Sequence, residues 1–498
     1  MSRSLLAAST FVSVALLLSR VSGLIREQVL GARLGLSAET DAAILMLTLP
    51  DLLVGLLLAG GFSAALVPAL TKVEPVARIV LMRRVMGWTA AGGLLIAGAL
   101  FLAAPLVLAV LAPALDPGSL VHFRMGFAVS LMALPIAAVI GVATAYLSAV
   151  GKYTVPALSV LAFNVALAGY FLVGLSAGAV NFAVFGGVIL AACALRLAVQ
   201  FSRMTEVLRP PSEDHVFAAG FRALFAQGVF AYALIVGIPV LFRSLYASGG
   251  PGDLAAFNYA LRVFELPAGI LIAPIVVVFL PLLSALPGPD DPVFRDRTDL
   301  AMRVAFAVGL IAALIAGLFA QPIVTVLFGF GEMGTSGADQ IAVVLQKLAV
   351  AIPFFAVFQV MATALNASGR TRLVLAATLG GLAVSLAAYV VLSFGFGLGV
   401  TSAAELGFVS YHISACCFAI LAVRGALGLG RTLVQLAPTV CVTVPFAVAV
   451  VTLNPWLTRD EVSLWEVVPI VLLGLCLLVL HAPLLIRLAQ LRDTRRMS

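Results

Sequence analysis

Residues 19–70 read SRVSGLIREQVLGARLGLSAETDAAILMLTLPDLLVGLLLAGGFSAALVPAL, and they decide how the chain folds. Arg20, Arg26, Asp41 and Asp51 stand inside or beside two apolar segments, each long enough to cross a bilayer. An ionisable group at membrane depth is costly unless it faces a partner or water. The stretch therefore predicts two spanning helices whose charges line a polar cavity for an anionic substrate.

The composition extends this prediction to the whole chain. Of its 498 residues 63% are hydrophobic and only 10% are charged, and the mean hydropathy is +1.17. A soluble domain is about half apolar and a quarter charged. Apolar runs of about 20 residues or more recur, which favours helices over the short alternating strands of a barrel. The sequence predicts an all-α polytopic membrane protein with membrane lipids as partners and no nucleic acid.

Hydropathy places about fourteen spans in the chain. Several approach 30 residues, so we expect tilted or bent helices. The predicted spans are 5–34, 40–71, 85–112, 120–149, 153–177, 180–203, 220–249, 253–286, 299–328, 338–367, 372–398, 402–427, 432–454 and 464–490.

Basic residues give the orientation of these spans. If the N-terminus is inside, twenty of the 29 Lys and Arg residues fall in inside segments, four in outside loops and five within spans. Cytoplasmic loops carry such an excess of positive charge. Both termini are therefore predicted to be cytoplasmic.

The chain also repeats itself at an offset of about 217 residues. TDAAILMLTLP (40–50) corresponds to FNYALRVFELP (257–267), and AYLSAVGK (145–152) corresponds to TALNASGR (363–370). The offset covers an even number of helices, so two six-helix lobes form parallel repeats that rock about a cavity at their interface. The predicted parts are lobe 1–203, cytoplasmic linker 204–219, lobe 220–428, and two further helices with a cytoplasmic tail at 429–498.

Pro50 and Pro267 occupy equivalent positions deep in their spans, and such prolines bend helices. Membrane helices tolerate these bends where neighbours or water satisfy the freed carbonyls. Two interpretations stay open: the bends act as gates beside a cavity, or they serve helix packing alone.

Two charged pairs follow from helix geometry. Arg20 and Asp51 lie at similar depth on either side of the turn near Leu36, so they are predicted to pair. Arg262 and Glu265 are three residues apart and share a helical face.

The remaining intramembrane charges divide by residue type. A guanidinium fork suits phosphate oxygens, so Arg20, Arg26 and Arg262 are predicted to bind substrate, whereas Asp51 and Glu265 are predicted to form packing ion pairs. Two further cations are interpreted separately. Lys347 has no obvious local partner, and Arg196 is predicted to snorkel to the inner surface as a topology residue.

Nothing in the chain predicts an enzyme. Catalytic chemistry needs polar groups gathered at one end of the spans, but the four histidines are scattered, and no GxxxxGK[ST] loop indicates ATP use. The five cysteines all lie in apolar segments without CxxC spacing. We predict no cofactor and no metal site.

The motifs resemble those of a known family. SRVSGLIRE, TDAA, LPDLL and GGFSAALVPAL at the N-terminus are similar to the MurJ (MviN) lipid II flippase family of the multidrug/oligosaccharidyl-lipid/polysaccharide exporter superfamily. AYLSAVGKYTVPALSVLAFNVALAG, which includes Asn164, and YALRVFELPAGI also resemble it. The resemblance runs along nearly the whole chain.

The resemblance implies a function. It implies two six-helix lobes forming a V-shaped cationic cavity in the bacterial cytoplasmic membrane, with alternating access. The implied substrate is the undecaprenyl-pyrophosphate-linked peptidoglycan precursor, and the cell-wall synthesis machinery is a candidate partner. By motif position, Arg20 and Arg26 correspond to the first-helix cavity arginines of the family, Asp41 to its second-helix aspartate, and Arg262 to its eighth-helix arginine.

The chain departs from the family pattern after LPDLL. Val54, Gly55 and Ala59 stand at positions that are usually charged, and Asp51 stands where asparagine is usual. Residues 220–249 and 372–398 contain no Asp or Glu, so the sodium site of some members is predicted to be absent. Two alternatives stay open: a flippase for another undecaprenyl-pyrophosphate-linked oligosaccharide, and a non-transporting membrane scaffold.

Overall fold

A computed structural model describes most of the chain. The described residues are 3–56, 66, 70, 74–106, 117–174, 180–204, 237–453, 473–474, 476–479, 481–484 and 486. These residues are almost entirely helical and contain no strand, which confirms the predicted all-α fold class.

Nine helices in the described part of the chain are long and apolar enough to span a membrane, or ten if one bent pair counts as a single span. Six predicted spans fall partly outside the described residues: 40–71, 85–112, 153–177, 220–249, 432–454 and 464–490. The total of fourteen therefore stays a prediction. The predicted linker 204–219 also lies outside the described residues, except for Met204.

The first of two compact units comprises Met1–Ala255 and Gly331–Met333. Its labelled helices are α1 (Arg3–Leu34), α2 (Ala38–Leu56), α3 (Pro75–Leu102), α4 (Pro117–Leu131), α5 (Ala133–Ala149), α6 (Thr154–Gly169) and α7 (Phe182–Phe201). A five-residue π-helix, Tyr170–Gly174, follows α6, and residues 237–247 are also helical.

The second unit comprises Ala256–Phe330 and Gly334–Ser498. Helix α8 starts at Asp253, before this unit begins. The helices are α8 (Asp253–Pro267), α9 (Ala273–Ser284), α10 (Pro292–Leu318), α11 (Ala320–Phe328), α12 (Gly334–Ala349), α13 (Ile352–Ala367), α14 (Thr371–Val390), α15 (Val400–Arg424) and α16 (Ala426–Leu453). This division into two units does not test the predicted boundaries at 203, 219 and 428, which stay predictions.

Local sequence explains where several helices begin. Helix α7 follows Asn181, whose side chain accepts a hydrogen bond from the Val184 amide at 3.2 Å. Helix α10 follows Asp291, whose carboxylate accepts from two backbone amides, and Pro292 occupies its first position. Both arrangements satisfy amides that have no partner within the helix.

The second unit has an apolar core built from α9, α10, α13 and α15. Phe279, Phe294 and Met361 lie in it at 1% exposure or less. In contrast, large apolar side chains such as Leu102 and Phe394 are more than 80% exposed. Exposed apolar surface of this kind suits a lipid environment, where water does not oppose it.

Matching helix ends support the internal repeat. Gly151 ends α5 with φ +78°, and Gly369 ends α13 with φ +72°. In each case the next residue donates its amide five residues back: Lys152 to Leu147 at 2.7 Å and Arg370 to Leu365 at 2.8 Å. Glycine takes this left-handed conformation without a Cβ clash, so the predicted repeat segments end in the same cap.

Matching helix contacts support the repeat as well. A Cβ on Gly93 of α3 would lie 2.8 Å from the Cα of Pro135 in α5. A Cβ on Gly309 of α10 would lie 2.8 Å from the Cα of Pro353 in α13. The same glycine–proline contact therefore brings two helices together in each unit, with both residues offset by nearly the same number of positions.

Two spans are less regular than predicted. The single span predicted at 338–367 is two helices, α12 and α13, bent by 48° at a short break. Pro267 is the last residue of α8, and a π-helix at Ala268–Ile272 joins it to α9. Pro50 instead lies inside α2 and is buried. Whether either proline acts as a gate stays a prediction.

Candidate functional site

A buried amide orients the first helix of the candidate site. Asn164 of α6 is 4% exposed, and its Nδ2 donates to Ser22 Oγ of α1 at 3.0 Å. Its Oδ1 accepts from Arg26 Nη1 at 3.2 Å. One side chain thus holds α1 against α6 and fixes the direction of the Arg26 guanidinium.

Arg26 lies inside the first unit with a carboxylate beside it. Its side chain is 5% exposed and that of Glu27 is 3% exposed, and Arg26 Nη2 donates to Glu27 Oε1 at 2.7 Å. A buried charge needs a partner of this kind because desolvation costs several kcal/mol per ion.

Asp51 of α2 lies near two arginines. Its Oδ2 is 3.7 Å from Arg26 Nη1, and its Oδ1 is 3.8 Å from Arg196 Nη1. The predicted Arg20–Asp51 pair is wrong, and Arg20 is exposed. Equal depth was not enough, because Arg20 and Arg26 are six residues apart and lie on different faces of a helix with 3.6 residues per turn.

The predicted snorkelling role of Arg196 is also wrong. Arg196 is 8% exposed, and its guanidinium carbon lies 5.7 Å from the centre of the Phe163 ring. The guanidinium carbon of Arg26 lies 6.0 Å from the same ring. Arg196 is the single charged residue of α7. This isolation within an apolar helix was the signal that could have placed it in the site.

We name Arg26, Glu27, Asp51, Asn164 and Arg196 the arginine cluster. It contains two guanidiniums and two carboxylates, with one buried amide that orients Arg26. Sequence reasoning identified Arg26 and Asp51, and the family resemblance included Asn164. Neither indicated Glu27, the buried position of Arg196 or the shared Phe163 ring. Guanidiniums donate in a planar fork that matches phosphate and carboxylate oxygens, so the cluster has the chemistry of an oxyanion site.

Asp41 lies elsewhere in the first unit. It is 6% exposed, and its carboxylate accepts from the amides of Gly252 at 2.8 Å and Ala255 at 2.7 Å, at the first turn of α8. Gly252 has φ +87°, and a Cβ there would lie 2.7 Å from a backbone carbon of Leu36. A carboxylate is favourable at a helix N-terminus, so Asp41 holds this turn in place.

In the second unit, the spacing of Arg262 and Glu265 leads to contact. Arg262 Nη1 lies 3.3 Å from Glu265 Oε2, and the two side chains are 34% and 48% exposed. Both residues therefore lie on an accessible face of α8.

Lys347 has a partner that its neighbouring sequence did not indicate. Its Nζ pairs with Oε2 of Glu405, which lies on α15 while Lys347 lies on α12. Glu405 is 4% exposed and the lysine side chain is 42% exposed. Local spacing in the sequence does not predict this pair because 58 residues separate its members.

The departure at Val54 places an apolar side chain inside the protein. Val54 is 5% exposed within α2. Gly55 continues the same helix, and Ala59 lies outside the described residues.

Together these features define a class of protein: a polytopic α-helical membrane protein with the fold of known exporters and flippases. A solved structure of lipid II flippase MurJ in an inward closed conformation matches with a TM-score of 0.73 and 14% identity, covering 98% of this chain and 99% of that chain. An inward-facing multidrug resistance MATE family transporter matches with a TM-score of 0.66 and 15% identity, covering 83% and 95%. At these identities the likeness shows the fold alone.

The sequence comparisons go further. The family profile described as "Lipid II flippase MurJ" matches residues 30–486, so the chain belongs to the MurJ family. The lipid II flippase MurJ of Burkholderia cenocepacia is 27% identical over 387 residues, 72% of each chain. The probable lipid II flippase MurJ of Synechocystis sp. is 27% identical over 379 residues, 71% of this chain and 70% of that protein.

Proposed function

We propose that this protein is a flippase that moves the lipid-linked peptidoglycan precursor, lipid II, from the inner to the outer leaflet of the bacterial cytoplasmic membrane. Transport proceeds by alternating access through a cationic cavity. The match of the MurJ family profile over residues 30–486 carries this proposal. The arginine cluster supports it, because buried guanidiniums are suited to a pyrophosphate.

The proposed roles follow the chemistry of each residue. Arg20, Arg26 and Arg262 bind the pyrophosphate and sugar head, while the prenyl tail stays in lipid beside the last two predicted spans, 432–454 and 464–490. The supporting and gating residues are Asp41, Asp51, Glu265, Lys347, Pro50, Pro267 and Asn164.

Transport is proposed to occur without a catalytic step, and both termini are proposed to be cytoplasmic. The excess of Lys and Arg in the predicted inside segments supports this orientation. The proposed macromolecular partner is the cell-wall synthesis machinery. No nucleic-acid partner is proposed. The energy comes from the substrate gradient, an ion gradient or the membrane potential.

Translocation of lipid II in proteoliposomes, with and without a membrane potential, tests this function. We expect lipid II to become accessible to an impermeant reagent on the opposite face, at a rate that requires the protein. Expression of this protein in MurJ-depleted cells separates the proposal from a flippase of another undecaprenyl-pyrophosphate-linked oligosaccharide, because only a lipid II flippase restores growth. The alternative is favoured by Val54, a buried apolar residue at a position that is usually charged. A scaffold would give no flux of either lipid.

A further inference from the structure

The contacts of Asp51 within the arginine cluster are long. Its carboxylate oxygens lie 3.7 Å from Arg26 and 3.8 Å from Arg196. Hydrogen bonds between such groups are usually 2.7–3.2 Å long. Glu27, in contrast, is 2.7 Å from Arg26. Asp51 therefore attracts both guanidiniums by charge but forms no direct hydrogen bond with either.

Asp51 is also more accessible than the two arginines beside it, Arg26 and Arg196. Its side chain is 40% exposed, whereas those of Arg26 and Arg196 are 5% and 9% exposed. Among Asp51, Arg26 and Arg196, Asp51 can therefore move away most easily, because it is accessible and has no short contact with either arginine.

The two guanidiniums would stay in place if the carboxylate moved. Both lie over the Phe163 ring, at 6.0 and 5.7 Å from its centre, and Arg26 is also bound by Asn164 and Glu27. Cation–π attraction of this kind holds a cation without using its N–H donors. The Nε atoms of Arg26 and Arg196 are buried and have no hydrogen-bond partner among the described residues.

We propose that Asp51 is an internal anion that occupies the position of a substrate phosphate, and that Arg196 is a further phosphate-binding residue beside Arg26. This inference rests on the proposed function and deepens it. When the pyrophosphate head arrives, its oxygens displace the Asp51 carboxylate and form hydrogen bonds with both guanidiniums. Asp51 then turns outward, which its exposure allows.

This exchange makes the site selective for highly charged head groups. A ligand must attract the two arginines more strongly than one carboxylate does. A pyrophosphate has more charge and more acceptor oxygens than a monophosphate, so it displaces Asp51 more readily. Neutral or singly charged lipids, which are abundant in a membrane, do not.

Binding of a short isoprenoid pyrophosphate tests the proposal. Farnesyl pyrophosphate and farnesyl monophosphate are titrated against the purified full-length protein and three variants, Asp51→Asn, Arg196→Gln and Arg372→Gln. Arg372 is an exposed arginine of α14 in the second unit, so it is a matched control for the loss of one guanidinium.

The two cluster variants should change the affinity in opposite directions. We expect Asp51→Asn to bind the pyrophosphate roughly fivefold more tightly, as loss of a partly exposed competing ion pair allows. We expect Arg196→Gln to bind it at least about tenfold more weakly, as loss of a charged hydrogen bond implies. Arg372→Gln should bind as the wild type does. In Asp51→Asn the preference for pyrophosphate over monophosphate should narrow.

Weaker binding in Asp51→Asn would show that the carboxylate positions the arginines and does not compete with substrate, which overturns the proposal. So would unchanged binding in Arg196→Gln, or no binding of the probe by the wild type. If Arg196→Gln does not fold, the direction of the Asp51→Asn change decides. If the variants show the expected affinities but the protein does not translocate lipid II, the phosphate site is supported and the proposed function is overturned.

Discussion

Two buried arginines of the first unit differ from two cations of the second unit in their exposure and partners, while Arg20 of the first unit is exposed. In the first unit, Arg26 and Arg196 have side chains 5% and 9% exposed, and they share Asp51 and the Phe163 ring. In the second, the side chains of Arg262 and Lys347 are 34% and 42% exposed, and each pairs with a carboxylate on α8 or α15.

This difference separates stability from function. A buried cation stabilises the fold only through its protein partners, so removing it disturbs packing as well as any ligand contact. A partly exposed cation depends less on a single protein partner, and an ion pair at a solvated surface contributes about 0–1 kcal/mol. Variants of Arg26 and Arg196 should therefore lose both stability and transport, whereas variants of Arg262 and Lys347 should lose transport with little loss of stability.

The largest effect is expected for Arg26→Gln. Lipid II translocation in proteoliposomes should fall at least about a hundredfold, because a phosphate-binding fork is lost. The free energy of unfolding should fall by about 3 kcal/mol, as it does when one partner of a buried ion pair is removed. Glu27 loses its 2.7 Å hydrogen bond in this variant.

Arg26→Lys is the matched control for charge. It keeps the positive charge beside Glu27 but not the planar fork, so stability should largely return while translocation stays low. An Arg26→Gln protein that is as stable as the wild type would contradict the distinction between buried and accessible cations.

Arg262→Ala should give the second-largest effect, confined to transport. Translocation should fall at least about tenfold if its guanidinium binds the head group. Unfolding should change by less than about 0.5 kcal/mol, because the lost pair with Glu265 is an accessible i,i+3 pair. Arg372→Ala provides the exposed-arginine control, and a fully active Arg262→Ala protein would refute the assigned role.

Much of the fold follows from the sequence for a simple physical reason. Long apolar runs leave the backbone no partner in lipid except within its own helix, so the all-α class was predictable. The repeat was also visible, because Gly151 and Gly369 are needed wherever a helix ends in the left-handed conformation. The bend between α12 and α13 was not predictable from hydropathy, which is blind to helix direction.

The site was less predictable because its contacts are distant in sequence. Arg26 was identified from its residue type and depth. Its contact with Asn164 spans 138 positions, and that of Lys347 with Glu405 spans 58. Such pairs depend on the rotation of each helix about its axis, which a depth estimate along the chain does not contain. The wrong pairing of Arg20 with Asp51 has this cause.

The glycine–proline contacts test whether helix packing is equivalent in the two units. Here the two units should behave alike. Gly93→Ala and Gly309→Ala should each lower the free energy of unfolding by about 2 kcal/mol, because the new Cβ would lie 2.8 Å from a proline Cα. Thermal unfolding in detergent measures both. The two losses should agree if the contacts are true counterparts.

Gly92→Ala is the control for Gly93, since a Cβ at this neighbouring position meets nothing within 4 Å. It should be neutral or slightly stabilising, as alanine favours a helix over glycine. A neutral Gly309→Ala beside a damaging Gly93→Ala would show that only one unit depends on the close contact.

The smallest effect is expected for Lys347→Met. Glu405 is 4% exposed and loses its ammonium partner, but the lysine side chain is 42% exposed, so the loss of stability should be only about 1 kcal/mol. The double variant Lys347→Met/Glu405→Gln removes both charges and should recover most of this loss, since a neutral amide costs less to bury than a carboxylate. A loss as large as that of Arg26→Gln, with no recovery in the double variant, would mean that accessibility of the cation does not set its contribution to stability.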